Sequence, residues 1–341
     1  MEKILSVCIP TYNMEALLPR CLDSFILEKE YMDQLEIIIV NDGSRDKSSA
    51  IAHEYADKYP QTFKVIDKTN GNYGSCINAA LKDARGKYFR ICDADDRYEK
   101  NNLKEYLDYL KESNAELVFS PYTVLSVDDT IMEVIKCPID LLRKSFNIDD
   151  LDWGNLEIKK MRAMHCIAIS PSILTKHDYV QTEGISYTDT QFSFCALLYS
   201  STCSFFDKNI YLYYLGRDGQ TMSKEAVVRT HMHFYINADK MLDTYAKFST
   251  PISENRQLIL IDCLYSEISI FISVVMENNI TSCGQVEKIK MFLKKSKETF
   301  NPCRVEEQLL QSLGYFKIWR KYHTHIWIVS LLLKIRIALF K

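Results

Sequence analysis

The 341-residue chain reads as an α/β protein with a mostly parallel, doubly wound sheet, helices on both faces, and an α-helical C-terminal region. Three observations predict this. Short apolar runs alternate with helical patterns from residue 4 to 120. Turn-forming residues follow the runs at nearly every strand end. After about residue 223 only long helical patterns remain.

Ile4–Ile9 reads as a buried strand, and Met14–Leu27 as a helix with Leu17, Leu18, Cys21, Leu22 and Phe25 on one face. Pro19 fits there only in the first turn. Glu36–Val40 is nearly all β-branched and predicts a second strand. Asn41-Asp42-Gly43-Ser44 turns the chain into a helix ending at Lys58. Phe63–Asp67 is the third strand, Asn70–Gly74 a loop, Ser75–Ala84 a helix and Lys87–Cys92 the fourth strand. Glu99–Asn114 and Glu116–Pro121 add a helix and a fifth strand. The pattern then weakens, with strands expected at Ala163–Ile169 and Ile210–Leu215 and a helix at Thr188–Tyr199. Helices follow at Lys224–Lys247, Ser253–Glu277 and Gln285–Thr299, so a boundary falls near residue 222.

A net charge of −3 gives no footprint for nucleic acid. Eleven cysteines without a paired spacing argue against a secreted disulfide scaffold and for a reducing compartment. Neither His231/His233 nor His323/His325 shares a helix face, and no Cys/His group has zinc-finger spacing. The N-terminus lacks a signal-peptide core, and no uncharged apolar run reaches 18 residues.

The chemistry concentrates at Asp93-Ala94-Asp95-Asp96, directly after the fourth strand. Two carboxylates about 4 Å apart repel by roughly 4 kcal/mol at an effective dielectric near 20. The cluster is either a solvated turn capping the next helix or a site awaiting a cation. In a parallel sheet the loops after strands one, two and four share one edge, where ligands bind. That edge would carry Tyr12, Asp42 and the acidic stretch, an inventory suited to a nucleotide and a divalent metal. Asp42 can accept a base or ribose proton. The Gly74 loop can offer N–H groups to phosphate. Asp95 can hold Mg²⁺ or Mn²⁺ against diphosphate oxygens. The G-x-G-x-x-G and P-loop signatures are absent.

Four stretches in this order resemble the family 2 glycosyltransferases. They are Ser6–Asn13, Glu36–Ser44, the set Asn78, Ala84 and Gly86, and Asp93–Asp96. The resemblance implies the GT-A fold, a Rossmann-like sheet, over residues 1–222, with a nucleotide-sugar half at 1–120 and an acceptor half at 121–222. Residues 223–341 would form the helical region, ending in a basic amphipathic tail at 315–341. The resemblance assigns Pro10, Thr11, Tyr12, Asn13, Asp42, Gly74, Asn78, Asp93, Ala94 and Asp95 to the nucleotide-sugar, a UDP-sugar being expected. Asp95 and Asp93 become the ligands of Mg²⁺ or Mn²⁺. Asp96 is either near them or a helix cap. Asn41 stands where an acid is frequent.

The family inverts at the sugar carbon, so an acceptor hydroxyl needs a base. Tyr187-Thr188-Asp189-Thr190-Gln191-Phe192 matches the segment carrying it, with Asp189 in the role and the family's first acid replaced by Thr188. Asp189 otherwise only stabilises a helix start. His165 either contacts the acceptor or is a semi-buried core histidine. Arg217 either meets the donor diphosphate or lies in a surface turn.

The tail carries six Lys or Arg residues between Lys317 and Lys341, no acid, and Trp319 and Trp327. It reads as an interfacial membrane helix or as a helix packed on the protein. The expected function is sugar transfer to a glycan or lipid-linked acceptor in surface polysaccharide synthesis, at the cytoplasmic face of the membrane. The alternatives are a metal-dependent nucleotidyltransferase and a non-catalytic nucleotide-sugar-binding subunit.

Overall fold

The computed structural model describes residues 2–216, 223–278, 280, 283–300 and 304–313. It divides into two compact units, Met1–Asp218 with Ile252–Arg256, and Gly219–Pro251 with Gln257–Lys341.

Twelve strands lie in the first unit: β1 Leu5–Thr11, β2 Leu35–Asn41, β3 Phe63–Asp67, β4 Tyr88–Ile91, β5 Arg97–Tyr98, β6 Leu117–Phe119, β7 Tyr122–Leu125, β8 Ile131–Ile135, β9 Ser145–Asn147, β10 Ile167–Ile169, β11 Thr202–Phe205 and β12 Tyr211–Tyr214. Eight form one sheet in the order β3-β2-β1-β4-β10-β6-β11-β9. The first four are parallel. β10 then enters antiparallel between β4 and β6, and β9 closes the edge antiparallel. β6 and β11 run the same way as β1–β4, so the sheet is mostly parallel as expected, with β10 and β9 the two opposed strands. The three residues of β10, buried on both faces, separate the fourth and fifth predicted strands.

Helices cover both faces. Val7, Ile9, Ile37 and Ile39 face Leu22 and Phe25 and the helix Lys100–Glu112 through Leu103, Tyr106 and Leu107. On the other face the Cys8 thiol meets the Cys76 carbonyl of the helix Asn72–Asp83, and Phe89 packs on Phe192 of the helix Asp189–Tyr199, ring centroids 6.2 Å apart. The nine cysteines from Cys8 to Cys263 are buried thiols.

Several local expectations change. Only Leu18–Asp23 of Met14–Leu27 forms this helix, with Pro19 in its first turn. The preceding residues are tied elsewhere: the Met14 N–H donates to Ser48 Oγ at 2.7 Å and the Glu15 N–H to Asp46 at 3.0 Å. The helix expected from Ser75 begins at Asn72. His165 lies in a 3-10 turn, Met164–Cys166, rather than in a strand.

A second sheet, ordered β5-β12-β7-β8, was unexpected except for β12. Its strands are two to five residues long, too short for periodicity to mark.

The described part of the second unit is helical: Lys224–Arg229, His231–Lys247, Glu254–Glu277 from Gln257 on, Cys283–Thr299 and Arg304–Ser312. Lys295 joins two of these, reaching Asp239 at 2.6 Å and Asp243 at 2.7 Å. Glu254–Glu277 is long and apolar enough to cross a membrane by length and composition. Leu260, Leu264, Phe271, Ile272 and Val275 on it are buried within the protein, as in a core helix. The tail at 315–341 lies outside the described residues.

Candidate active site

The order β3-β2-β1-β4 places the C-terminal ends of β1 and β4 side by side, where chain connections diverge and a crevice opens. Pro10 and Thr11 end β1. Thr11 is buried, its hydroxyl returned to the Ile9 carbonyl at 3.1 Å, so it offers main chain rather than side chain to a ligand. Its carbonyl accepts from the Asp42 N–H at 2.8 Å. Tyr12 is 42% exposed. Asn13 adopts φ +54°, a left-handed conformation Asn tolerates. Its side chain accepts from the Arg45 N–H at 2.8 Å, clasping the loops after β1 and β2 together.

Asp42 is almost wholly buried. Its Oδ1 accepts from Lys68 Nζ at 2.6 Å and from the Gly71 N–H at 2.9 Å. Asn70 Nδ2 donates to the Asp42 carbonyl at 3.0 Å. Beside it Asn41 donates to Asp67 at 2.7 Å, and Asp67 also receives Ser49 and pairs with His53. Partial burial works against the Asp67 charge, but these hydrogen bonds outweigh it and hold the carboxyl below its usual range. An acid at 41 would oppose this carboxylate, which gives Asn41 a physical reason.

Gly74 lies inside the first turn of the Asn72–Asp83 helix, not in a loop. A Cβ there would stand 2.0 Å from the Thr182 carbonyl oxygen, so the glycine permits close packing of segment 181–183. Asn78 binds the same segment. Its Nδ2 reaches the Gln181 carbonyl at 2.9 Å and Glu183 at 2.8 Å, and its Oδ1 accepts the Gln181 N–H at 2.8 Å. Gly74 and Asn78 thus join that helix to segment 181–183, a different use from direct ligand contact. Tyr73, in the same first turn as Gly74, donates to Asp93 Oδ1 at 2.7 Å.

The acidic loop divides into unequal members. Carboxylate oxygens of Asp93, Asp95 and Asp96 lie within 4.8 Å of one another. Asp96 is fully buried and accepts from Tyr211 Oη at 2.5 Å and the Tyr214 N–H at 2.7 Å. Burial, then the charges of Asp93 and Asp95, push its carboxyl well up. It is not a helix cap, since Glu99 caps the next helix through the Asn102 N–H at 2.7 Å. Ala94 is buried in the core and presents only its backbone. Arg20, stacked 4.0 Å over the Tyr214 ring, donates to the Asp95 carbonyl at 3.0 Å.

Asp189 opens the Asp189–Tyr199 helix. Burial pushes its carboxyl up, with backbone hydrogen bonds and Arg162 pulling the other way. The hydroxyls of Tyr73 and Tyr213 each lie within electrostatic reach of both Asp93 and Asp189. The charges of Asp93 and Asp189, about 100 residues apart in sequence, thus act on the same two hydroxyls. Gln191 accepts the Thr182 N–H at 3.0 Å, and Gln181 donates to the Thr188 carbonyl, fixing the start of the helix. Arg256 holds its other end, donating to the carbonyls of Leu197 and Leu198 at 2.8 and 2.7 Å.

The His165 ring packs between Tyr213, Tyr211 and Tyr122, with centroids at 4.4, 4.8 and 5.2 Å. Burial, aided by the Arg90 guanidinium, pushes it down to about 3, so it is a neutral ring in an aromatic stack. Arg217 lies outside the described residues. Lys68, Tyr73, Tyr211 and Gln181 escaped the sequence reading. No motif marks them, and only the pairing of distant segments gives them partners.

An open α/β sheet carrying an acidic loop at the junction of β1 and β4 is the GT-A architecture. Residues 6–169, just under half of the chain, match the model for glycosyl transferase family 2. The chain is 38% identical over 104 residues to an uncharacterized glycosyltransferase, MG025, of Mycoplasma genitalium, covering 30% of this chain and 35% of that one. It is 36% identical over 112 residues to the minor teichoic acid biosynthesis protein GgaB of Bacillus subtilis, covering 33% and 12%. The chain thus spans about a third or less of these relatives' lengths. Among solved structures, S. aureus TarS residues 1–349, determined with UDP-GlcNAc, superposes with a TM-score of 0.68 at 18% identity. The match covers 96% of this chain and 88% of that one.

Proposed function

We propose that the protein transfers a sugar from a nucleotide-diphospho-sugar, a UDP-sugar, to a glycan or lipid-linked acceptor with inversion, in surface polysaccharide synthesis. The observation that carries this reading is the cluster of Asp93, Asp95 and Asp96 carboxylates directly after β4, beside the end of β1. The nucleotide-sugar complex of TarS and the teichoic acid role in the name of GgaB support the substrate class.

The donor set fits a hard divalent cation. Asp93 and Asp95 offer carboxylate oxygens within 4.8 Å of one another, while Asp96 is buried and bonded to Tyr211 and Tyr214. Mg²⁺ and Mn²⁺ sites commonly use one or two carboxylates plus substrate phosphates. Such an ion supplies positive charge against the charge growing on the leaving diphosphate. Asp42 orients the base, and Tyr12 offers an exposed ring for it to stack upon. Asp189 takes the proton of the acceptor hydroxyl as the oxygen–carbon bond forms. The bond to the diphosphate breaks and its electron pair leaves with the nucleotide. A carboxylate raised by burial is a stronger base than an ordinary one, so the rate rises with pH as Asp189 loses its proton. Arg217 extends the donor site, and the 315–341 tail contacts the inner membrane face. Deleting residues from 317 onward is expected to move the protein into the soluble fraction.

The test is a screen of nucleotide-sugars for nucleotide release with Mn²⁺ or Mg²⁺, with and without cell-envelope lipid extract. Metal-dependent UDP release that the extract stimulates is expected. Pyrophosphate release, or binding without release, would contradict the reading.

A further inference from the structure

We propose that Lys68 determines which base the crevice accepts, favouring uridine over cytidine nucleotides by fixing how Asp42 presents its carboxylate. The inference rests on the nucleotide-sugar reading above. An ammonium has three donors. All three of Lys68's are directed into the protein: to Asp42 Oδ1 at 2.6 Å, the Thr69 carbonyl at 2.7 Å and Ser75 Oγ at 2.8 Å. Lys68 therefore has no donor left for a phosphate, and a tethering role follows.

The tether is built closely. Asp42 Oδ1 also accepts the Gly71 N–H at 2.9 Å, so two donors converge on one oxygen. A Cβ at Gly71 would stand 2.7 Å from Ser75 Oγ and 3.1 Å from Lys68 Nζ, so a side chain there would displace the ammonium. Asn70 and Thr11 hold the Asp42 main chain at 3.0 and 2.8 Å. Lys68 and Gly71 thus hold the carboxylate by Oδ1, and the Cys76 thiol is a further hydrogen-bond partner of this side chain. Held in this way it is an acceptor only. Uracil offers an N–H at ring position 3 where cytosine offers a lone pair. A fixed acceptor binds the first and repels the second, and a buried polar group left unpaired strongly disfavours the wrong ligand.

UDP and CDP share ring size, ribose and diphosphate, so the ratio of their affinities isolates this edge. Titration calorimetry with Mn²⁺ is carried out on the full chain and on Lys68→Met and Gly71→Ala. The wild type is expected to prefer UDP. In Lys68→Met the preference contracts by about tenfold or more, chiefly through weaker UDP binding. Gly71→Ala, which keeps the charge but displaces it, moves in the same direction, so it carries the test if Lys68→Met does not fold. A general loosening of the loop would weaken both nucleotides equally. An unchanged ratio in the folded variants, or a wild type indifferent between the two, overturns the inference. A wild type that binds neither nucleotide overturns the nucleotide-sugar reading instead.

Discussion

The two ends of the crevice handle negative charge differently. At the base end the Asp42 carboxylate meets a lysine at 2.6 Å, and Asp67 is wrapped by an amide, a hydroxyl and an imidazole. At the reacting end three carboxylates crowd within 4.8 Å, and Asp96 and Asp93 are held by tyrosine hydroxyls and main-chain N–H groups. Tyrosine fixes a carboxylate's position without cancelling its charge. The base end thus sets a cation against its carboxylate, whereas tyrosine hydroxyls position Asp93 and Asp96 at the reacting end.

That contrast can be broken one end at a time. Asp95→Ala is expected to have the largest effect of these, lowering metal-dependent sugar transfer by about 10²–10³-fold, while UDP affinity measured in chelator stays near that of the wild type. Asp42→Asn acts at the other end. It weakens UDP binding by about 10–100-fold, with little change in turnover at saturating donor, as a split of KM from kcat would register. Tyr73→Phe loosens Asp93 without removing charge. Mn²⁺ affinity, followed by the paramagnetic signal of the free ion, should fall about tenfold. Asn41→Asp is the mildest. It sets a carboxylate against Asp67 and should lower stability by about 1 kcal/mol at neutral pH in urea unfolding. The loss should shrink as pH falls and one of the two carboxyls takes a proton. An Asn41→Asp variant as stable at pH 7 as the wild type would show that Asp67 is not held in this way.

The base end could be read from residues because buried parallel strands are continuous apolar runs and their ends carry turn chemistry. Phe63–Asp67 has the same bounds in sequence and structure, and Tyr12 and Asp42 directly follow the ends of β1 and β2. Asp189 came from a motif resemblance, and the start of its helix is set by how residues 181–191 pack on Gly74 and Asn78. What sequence pattern missed is mostly pairing. β10 has three residues and no period, yet it inserts antiparallel between β4 and β6. Lys68 looks like any loop lysine until Asp42 is beside it. His165 reads as a possible ligand until three tyrosines close on its ring.

The most direct test of the two-ended crevice is Asp189→Asn, with UDP binding and sugar transfer measured on the same preparation. The account predicts unchanged UDP affinity and transfer reduced by at least about 10³-fold. Transfer retained near the wild-type rate would contradict it.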